Sequence, residues 1–395
     1  MNSSSHKSPF VAIACGGTGG HLFPGLAVAD QLRQHGCRVA VLVSPKEIDQ
    51  QAVKTAGGVE IFTLPAVGLQ NRNYLPFIAS FGKSLFAAWK IFYRRRPDAV
   101  LAMGGFTSAP PVFAAKDAGA KTFLHESNTI PGRSNRFVSR FVDMAFIGFP
   151  EVASQLKTRK TKVTGTPVRP QFSPESRIQN PESSCRRALG LNPDLPTVLV
   201  VGGSQGARGL NDLVLSALPL LVEKKWQWLH LTGNHDAEKV RSAYAKLGMQ
   251  AVVKPFLAEM DLALGGATAC VSRAGASSLA EIAAMRLPSV LVPLPTAADN
   301  HQFFNAAAFE KTSAAHVLDQ KSTAPEAFAS RLAETLENAA VRSMMQSALA
   351  RWHAPDAAAK IAGAILNEIG QGVVSQVKPD RETASHDEVK LKVMA

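Results

Sequence analysis

Cysteine is scarce in this chain of 395 residues. The four cysteines form no CxxC spacing and lie in apolar or helical contexts: Cys15, Cys37, Cys185 and Cys270. This distribution argues against a disulfide framework and against a structural zinc site, and it is typical of a protein in a reducing cytoplasm.

Long apolar runs are also missing. No stretch reaches the roughly 18 consecutive apolar residues expected of a membrane-spanning helix. The polar start MNSSSHKSP lacks the apolar core of a signal peptide. We therefore expect no transmembrane or targeting segment.

The sequence also lacks the motif with which many sugar-nucleotide transferases hold a divalent metal. It contains no DxD, the pair of carboxylates that binds such an ion on a diphosphate. His35, His230 and His235 show no ligand spacing, so we interpret them as surface or packing residues. We predict no metal site and no cofactor, and expect helix dipoles, backbone N–H groups and Arg169 in TGTPVR to neutralise a bound diphosphate.

Acidic residues are outnumbered by basic ones. The 43 Lys and Arg against 31 Asp and Glu give a net charge of +12 and a pI near 9.7. This balance favours an anionic partner such as a nucleotide, a phosphoryl lipid, an anionic membrane or a nucleic acid. No recognised nucleic-acid-binding motif accompanies the charge, so we expect no nucleic-acid partner.

Short apolar runs alternate with helical patterns along most of the chain. FVAIAC, RVAVLVS and DAVLAMGG are each followed by an amphipathic stretch, and the pattern restarts at TVLVVGG after a Pro- and Ser-rich linker. This alternation predicts an α/β protein with two doubly wound parallel sheets in series. We place the first domain at 8–168, the second at 169–349, a returning helix at about 350–368, and a disordered tail at 371–395.

Glycines follow the predicted strands at 16–20, 104–105 and 202–206. A strand that runs through glycines into a helix presents free backbone N–H groups and the positive end of a helix dipole, which together bind anions. None of the three loops matches GxGxxG or GxxxxGK[ST], so the common dinucleotide and P-loop motifs are excluded on spacing. Their repetition favours a phosphate-binding role over packing alone.

The stretch SRAGASSLAE permits two interpretations. Ser277 or Ser278 could cap a helix with Glu281 as the reciprocal partner in a capping box. Alternatively, Glu281 could accept hydrogen bonds from a ribose diol near a phosphate-binding helix start. Downstream, His301, Gln302 and Asn305 follow a predicted strand, where amides suit sugar hydroxyls.

The segment from Leu75 to Arg96 combines aromatics with basic residues. Part of it belongs to the core, but the apolar positions are too many for one buried face. A basic rim around an apolar patch is typical of proteins that lie on anionic lipid headgroups. We therefore predict contact with an anionic membrane surface over a plain core helix.

Six motifs, in this order, closely resemble the MurG family of peptidoglycan glycosyltransferases: GGTGGHLFPGLAVA, MGGFTSAP, LHESNTIPGRSNR, GTPVR, VVGGSQGARGLN and SRAGASSLAEIAAM…VPLPTAADNHQFFNA. The resemblance covers roughly residues 10 to 368. It implies a GT-B fold, with two Rossmann-like domains facing a cleft. It further implies inverting transfer of N-acetylglucosamine from UDP-N-acetylglucosamine to the 4-hydroxyl of lipid I, at the cytoplasmic face of the inner membrane and without a metal.

The same resemblance implies roles for individual residues. His21 would be the general base, with Glu126 or His125 as alternatives. The implied donor-binding residues are Thr18, Gly19, Gly20, Asn128, Arg169, Ser204, Leu257, Ala276, Ser277, Ser278, Leu279, Ala280, Glu281 and Gln302. Cell-wall synthesis proteins are possible further partners in such a family.

The chain departs from the family pattern at several positions. Ser127 stands where Gln is usual, Thr166 where Asn is usual, and Ala109, Arg286 and Ser313 where Gly is common. We expect Ser127 and Ala109 to affect the acceptor side, and Arg286 to carry a cost if its backbone needs a positive φ.

Two rival classes share the predicted fold. A sugar-nucleotide epimerase would bind the same donor and release a free 2-epimer without any acceptor. A membrane scaffold that uses the nucleotide sugar as a signal would bind it without turnover.

Overall fold

The computed structural model describes residues 8–17, 19–46, 50, 57–66, 74–173, 181–203 and 206–370. The predicted tail at 371–395 lies outside these residues. Two parallel sheets account for the strands. The first comprises β1 (Phe10–Ala14), β2 (Arg38–Val43), β3 (Glu60–Thr63), β4 (Ala99–Ala102), β5 (Lys121–Glu126), β6 (Met144–Ile147) and β7 (Thr161–Val163). The second comprises β8 (Thr197–Val201), β9 (Gln227–Leu231), β10 (Ala251–Lys254), β11 (Ala269–Ser272), β12 (Ser289–Leu291) and β13 (His316–Val317).

Helices connect and cover the strands. Those of the N-terminal half are α1 (Gly19–Gln34), α2 (Tyr74–Arg94), α3 (Ala109–Asp117) and α4 (Arg133–Val138). Those of the C-terminal half are α5 (Glu182–Ala188), α6 (Arg208–Ala217), α7 (Ala237–Lys246), α8 (Met260–Gly266), α9 (Ala276–Ala284), α10 (His301–Lys311), α11 (Pro325–Glu337), α12 (Ala339–Trp352) and α13 (Ala357–Glu368). Short 3-10 turns lie at Pro150–Gln155, Leu218–Leu220 and Ala298–Asn300.

The strand order makes both sheets doubly wound. It is β3-β2-β1-β4-β5-β6-β7 in the first sheet and β10-β9-β8-β11-β12-β13 in the second, with every pair parallel. The order therefore reverses between β1 and β4 in the first sheet and between β8 and β11 in the second. Ligands of open α/β sheets bind at these switch points, beyond the carboxyl ends of the strands. The α/β fold predicted from the sequence is confirmed.

Each sheet is buried on both faces because its strands are apolar on both sides. In β1, Val11 and Ile13 pack into one core with α1, whereas Phe10 and Ala12 pack into another with Phe92 of α2. Parallel sheets need this double cover, and it explains why the strands read as continuous apolar runs.

The C-terminal helix returns to the first sheet. Ile361 and Ile365 of α13 lie in the same core as Val11 and Ile13, and Lys160 pairs with Glu368 at 3.1 Å. Just before α13, Trp352 stacks on Phe309 at 4.6 Å between ring centroids. The domain boundaries at 168 and 349 stay a prediction, with α13 packed on the N-terminal unit.

Two of the family departures fall at left-handed backbone positions. Arg286 has φ +47° after α9, and Ser313 has φ +59° after α10. A residue with a Cβ atom costs about 1–2 kcal/mol in this conformation, which glycine adopts freely. The expected backbone cost at Arg286 therefore follows from its positive φ, and Ser313 carries the same kind of cost.

Candidate functional site

The first wall of the candidate site is the loop between β1 and α1, at the switch point of the first sheet. A Cβ atom on Gly16 would lie 2.3 Å from the backbone nitrogen of Ser44, so no other residue fits there. Gly17 has φ +108°, and α1 begins at Gly19. The glycines therefore let bare backbone line the crevice. Thr18 lies outside the described residues.

His21 lies in the first turn of α1 and packs against the second glycine turn, which follows β4. Gly104 has φ +111° and Gly105 has φ +79°. A Cβ atom on Gly104 would lie 2.8 Å from Cε1 and 2.9 Å from Nδ1 of His21. The turn is held in place from two sides, because Thr107 Oγ1 donates to Gly16 O and Ser134 Oγ donates to Gly105 O, each at 2.8 Å. Both glycine turns therefore shape one compartment around the imidazole.

Glu126 ends β5 beside this compartment and is almost fully buried. Its Oε1 accepts hydrogen bonds from the backbone N and the Nδ2 of Asn128, both at 2.9 Å. Its Oε2 accepts from Gly132 N at 3.0 Å and from Asn135 Nδ2 at 2.7 Å. A carboxylate with this set of donors holds the 128–135 segment in place. The catalytic role that the sequence resemblance implies for Glu126 stays a prediction.

His125 is fully buried one residue earlier. Its Nε2 donates to Gly165 O at 3.1 Å, so its Nδ1 is the acceptor for Ser127 Oγ at 3.2 Å. Burial lowers the pKa of His125, only partly offset by the Gly165 carbonyl and by Glu126, and nearby His21 lowers it further. His125 is therefore neutral, and it joins β5 to Gly165 in the segment that leads to the second unit. Ser127, the family departure, serves to hold it.

The second wall is α9, at the switch point of the second sheet. Ser277 Oγ donates to Gly20 O at 2.7 Å, which joins the first turns of α9 and α1. The helix starts at Ala276 after Gly275, and no side chain caps it within the described residues. The capping-box interpretation is therefore wrong: Ser277 and Ser278 already lie in the first helical turn.

Glu281 and Arg169 face each other beneath this junction. Arg169 Nη2 lies 3.9 Å from Glu281 Oε1, and the two side chains are only 21% and 15% exposed. Burial raises the pKa of Glu281 to about 7, against the opposing effect of Arg169. The guanidinium lies 4.2 Å from the ring centroid of Phe23 and 4.9 Å from that of Phe172. Its buried Nε has no hydrogen-bond partner among the described residues.

Gln302 lies in the first turn of α10. Its Oε1 accepts from Leu294 N at 3.0 Å and from Ala274 N at 3.3 Å, which fixes the amide. Its Nε2 makes no hydrogen bond within the part of the chain that the structure describes. The amide therefore retains a donor for a sugar hydroxyl.

Asn305 serves a different purpose from the sugar contact suggested by the sequence. Its Oδ1 accepts from both the N and the Oγ1 of Thr129 at 2.9 Å, and its Nδ2 donates to Asn128 Oδ1 and Ala274 O at 3.1 Å. Both ends of its fully buried amide are therefore occupied by protein atoms. Asn305 ties α10 to the N-terminal unit, and Asn128 belongs to the same network.

The other residues predicted to bind the sugar donor lie in several different parts of the structure. Ala276, Leu279 and Ala280 line a cavity beside the interdomain linker, together with Thr166 and Trp352. Leu257 is buried in a hydrophobic cluster that contains residues of both units. Gly19 and Gly20 open α1, and Ser278 lies in α9. Ser204 lies outside the described residues.

A buried polar network lies beside Gly206, where a Cβ atom would be 2.5 Å from Thr232 O. His230 Nε2 contacts Asn211 Oδ1 at 3.0 Å, and Asn211 Nδ2 donates to Asp236 Oδ2 at 2.8 Å and to Thr232 O at 3.0 Å. Burial lowers the pKa of His230 to about 3, with Asp236 opposing the shift. The packing role expected for His230 is confirmed. Among the described residues, no group of three or more metal-ligating side chains is present.

Comparison with known proteins reveals one family over most of the chain. The N-terminal domain of glycosyltransferase family 28 matches residues 11–147, and its C-terminal domain matches residues 197–361. A protein of Halorhodospira halophila is 37% identical over 367 residues, covering 92% of this chain and 99% of that protein. It is named UDP-N-acetylglucosamine–N-acetylmuramyl-(pentapeptide) pyrophosphoryl-undecaprenol N-acetylglucosamine transferase. A protein of the same name from Listeria monocytogenes is 34% identical, covering 90% of this chain and 99% of that protein.

Solved structures agree with the fold. The crystal structure of Acinetobacter baumannii MurG superimposes with a TM-score of 0.69 at 27% identity, over 91% of this chain and 100% of that one. A crystal structure of UDP-N-acetylglucosamine 2-epimerase has a TM-score of 0.68 at 15% identity, over 96% of this chain and 100% of that one. At that identity the second likeness concerns the fold alone.

The buried carboxyl of Glu281 leads to a prediction about stability and pH. Its pKa is about 7 in the folded protein against 4.5 for the free group, so the unfolded chain loses this proton first. Stability should therefore fall by about 3 kcal/mol as the pH rises from 4.5 to above 7. In Glu281→Gln this loss should disappear, so the variant should gain stability over the wild type between pH 5 and pH 8.

Urea unfolding of both proteins at the two pH values measures the difference. Glu238→Gln is the control, because the Glu238 side chain is 81% exposed. A wild-type pH dependence retained in Glu281→Gln would show that this carboxyl does not carry the raised pKa.

Proposed function

Because the chain belongs to glycosyltransferase family 28, we propose that it transfers N-acetylglucosamine from UDP-N-acetylglucosamine to N-acetylmuramyl-(pentapeptide) pyrophosphoryl-undecaprenol. This is the reaction for which its relatives are named. The acceptor is lipid I, and the sugar 4-hydroxyl would form a β-1,4 bond with inversion at the donor carbon. The product is lipid II, a precursor of peptidoglycan.

One observation carries this proposal. The hydrogen bond from Ser277 Oγ to Gly20 O joins the two switch points, one in each sheet. It supports a site to which both helices contribute, since His21 follows Gly20 in α1 and Glu281 lies one turn after Ser277 in α9. A cleft with a candidate base on one wall and a candidate nucleoside site on the other suits transfer between two bound substrates.

The proposed mechanism assigns each group a role. His21 accepts the proton of the attacking hydroxyl, because histidine is the side chain whose ordinary pKa lies nearest neutrality. Arg169, the glycine-loop N–H groups and the N-terminal ends of α1 and α9 stabilise the leaving diphosphate. Glu281 accepts from the ribose hydroxyls and Gln302 Nε2 donates to the sugar.

Approximate reductions of the activation barrier indicate how much each role contributes to catalysis. Orientation of two substrates supplies about 7 to 11 kcal/mol of barrier reduction. A general base supplies about 3 to 5 kcal/mol. His21 is thus important for turnover, but the larger share comes from holding both substrates in one closed cleft.

Substitution of His21 tests the base. His21→Gln keeps a polar side chain of similar length without a basic nitrogen, so kcat should fall at least about a hundredfold. The dissociation constant for UDP-N-acetylglucosamine, measured by calorimetry, should stay within about twofold. His35→Gln, beyond the far end of the same helix, is the matched control, and a His21→Gln enzyme with normal kcat would remove His21 as the base.

The acceptor is lipid-linked, and α2 offers a surface for it. Exposed apolar side chains recur at helical spacing along one face of this helix, with exposed fractions from 44% to 93%: Leu75, Ile78, Phe86, Trp89 and Tyr93. The opposite face is core, since Ala88 and Phe92 are buried. No described helix is long and apolar enough to span a membrane. The exposed face therefore suits contact with a membrane surface.

Basic residues flank this apolar face. Lys83, Lys90 and Arg94 are exposed on the same helix, whereas Arg95 is turned inward to Glu60 and the Phe10 ring. Ammonium and guanidinium groups beside an apolar stripe are attracted to anionic headgroups. We infer that α2 docks on the cytoplasmic face of the inner membrane, where it presents the cleft to the lipid-linked acceptor.

Vesicle binding tests this surface. In Ile78→Ser/Phe86→Ser/Trp89→Ser, binding to vesicles of phosphatidylglycerol and phosphatidylethanolamine should weaken at least about tenfold, because each inserted apolar side chain contributes about 1.5–3 kcal/mol when fully buried. Turnover of a short-chain, water-soluble acceptor should stay within about twofold. The control Leu220→Ser/Met344→Ser removes apolar side chains that are 50% and 46% exposed in the other unit. Equal binding by both variants would refute the membrane role of α2.

A further inference from the structure

A strained turn lies at the mouth of the cleft, immediately before α10. Asp299 has φ +50° and Asn300 has φ +55°, so two consecutive residues other than glycine adopt the left-handed conformation. Such backbone persists only where surrounding contacts hold it, and it is concentrated at functional positions. No role has been assigned above to Asp299.

The contacts of Asp299 reach the other unit. Arg133 Nη2 donates to its Oδ1 at 3.1 Å, and Arg136 Nη2 donates to its Oδ2. Both arginines belong to α4, beside the first sheet. The pKa of Asp299 is lowered, chiefly by the hydrogen bond from Arg133. One carboxylate therefore bridges two cations across the interdomain cleft.

Each end of this bridge is coupled to groups of the proposed reaction. On the N-terminal side, Ser134 and Asn135 of α4 bond to Gly105 O and Glu126, which form part of the compartment around His21. On the C-terminal side, α10 begins one residue after Asn300 and carries Gln302. A shift of α4 relative to α10 would therefore move the acceptor compartment relative to the donor-sugar amide.

The Asp299 bridge is ionic, whereas the other contact between α10 and the N-terminal unit, made by Asn305, is neutral. The amide of Asn305 joins α10 to Thr129 and Asn128 through neutral, buried hydrogen bonds. The Asp299 bridge lies at the rim, where Arg133 is 79% and Arg136 is 44% exposed. It can therefore open to water without leaving a buried polar group unpaired, whereas the Asn305 link cannot.

We propose that Asp299, Arg133 and Arg136 form an ionic clasp across the mouth of the cleft, and that Asp299 is a positioning residue for sugar transfer. The clasp holds α4 and α10 in the register in which the acceptor hydroxyl meets the donor sugar. Its effect on the reaction rests on the transferase activity proposed above. Its effect on the relative position of the two units does not depend on that activity.

The first test separates the charge of Asp299 from its backbone conformation. Asp299→Asn keeps the size and the tolerance for left-handed φ but removes the charge. The specificity constant kcat/KM for the acceptor should fall five- to twentyfold, and the dissociation constant for the donor should stay within twofold. Asp212→Asn is the matched control, because Asp212 pairs with Lys239 inside one unit.

Charge reversal tests the partners. The triple variant Asp299→Arg/Arg133→Glu/Arg136→Glu should recover at least half of the wild-type kcat/KM, while Asp299→Arg alone should be the least active. Raising the salt concentration should lower the activity of the wild type by a larger factor than that of Asp299→Asn, because only the wild type has the bridge to lose. Failure of the triple variant to recover, or equal activity of Asp299→Asn and Asp212→Asn, would overturn the clasp.

A distance measurement needs no turnover. Nitroxide labels on Lys157→Cys and Lys311→Cys, both at exposed positions, report the separation of the two units. A wild-type protein with a narrow distance distribution that broadens in Asp299→Asn supports the clasp even if no acceptor is glycosylated. Identical distributions in the two proteins contradict the clasp, and absence of acceptor-dependent transfer by the wild type contradicts the proposed function alone.

Discussion

The contact between Ser277 and Gly20 joins the switch points of the two sheets. Each sheet builds its own crevice at its own switch point, and neither crevice holds all the groups that transfer between two substrates requires. The hydroxyl of Ser277 reaches the backbone carbonyl of Gly20 because α9 and α1 both start at those switch points. The helix start that carries the candidate base and the helix start that carries the candidate nucleoside site are thereby in direct contact.

Glycine geometry makes the junction possible from the N-terminal side. Gly16 admits the close approach of Ser44, and the positive φ values of Gly104 and Gly105 make space for the imidazole of His21. Buried polar groups lie beside these turns. The Glu126 carboxylate accepts hydrogen bonds from Asn128 N, Gly132 N and Asn135 Nδ2, and His125 donates to Gly165 O. Rigid support of this kind keeps reacting groups aligned, which is where most of the rate enhancement arises.

The local features were accessible from the sequence, whereas the contacts across the cleft were not. A strand, glycines and a helix recur within about twenty residues, so the parallel sheets and their phosphate-suited loops have a local signature. Asn305 and Thr129 are 176 residues apart in the sequence, and Asp299 and Arg133 are 166 residues apart. The local sequence around each residue therefore does not indicate which distant residue it contacts. The capping-box interpretation of Ser277 failed because its hydroxyl bonds to Gly20 in another unit. The burial of Glu126 and its four hydrogen-bond donors are not visible in HESN, whereas the positive φ at Arg286 was foreseeable from a departure at a common glycine position.

The proposed transfer requires one cleft that holds both substrates. The direct measurement incubates the purified chain with UDP-N-acetylglucosamine and a short-chain lipid I analogue in the presence of a chelator, and follows UDP release and β-linked disaccharide together. Transfer to the acceptor should give equal amounts of UDP and disaccharide, and neither product should form without acceptor. Donor binding without disaccharide, or conversion of the donor to its free 2-epimer in the absence of acceptor, would contradict it.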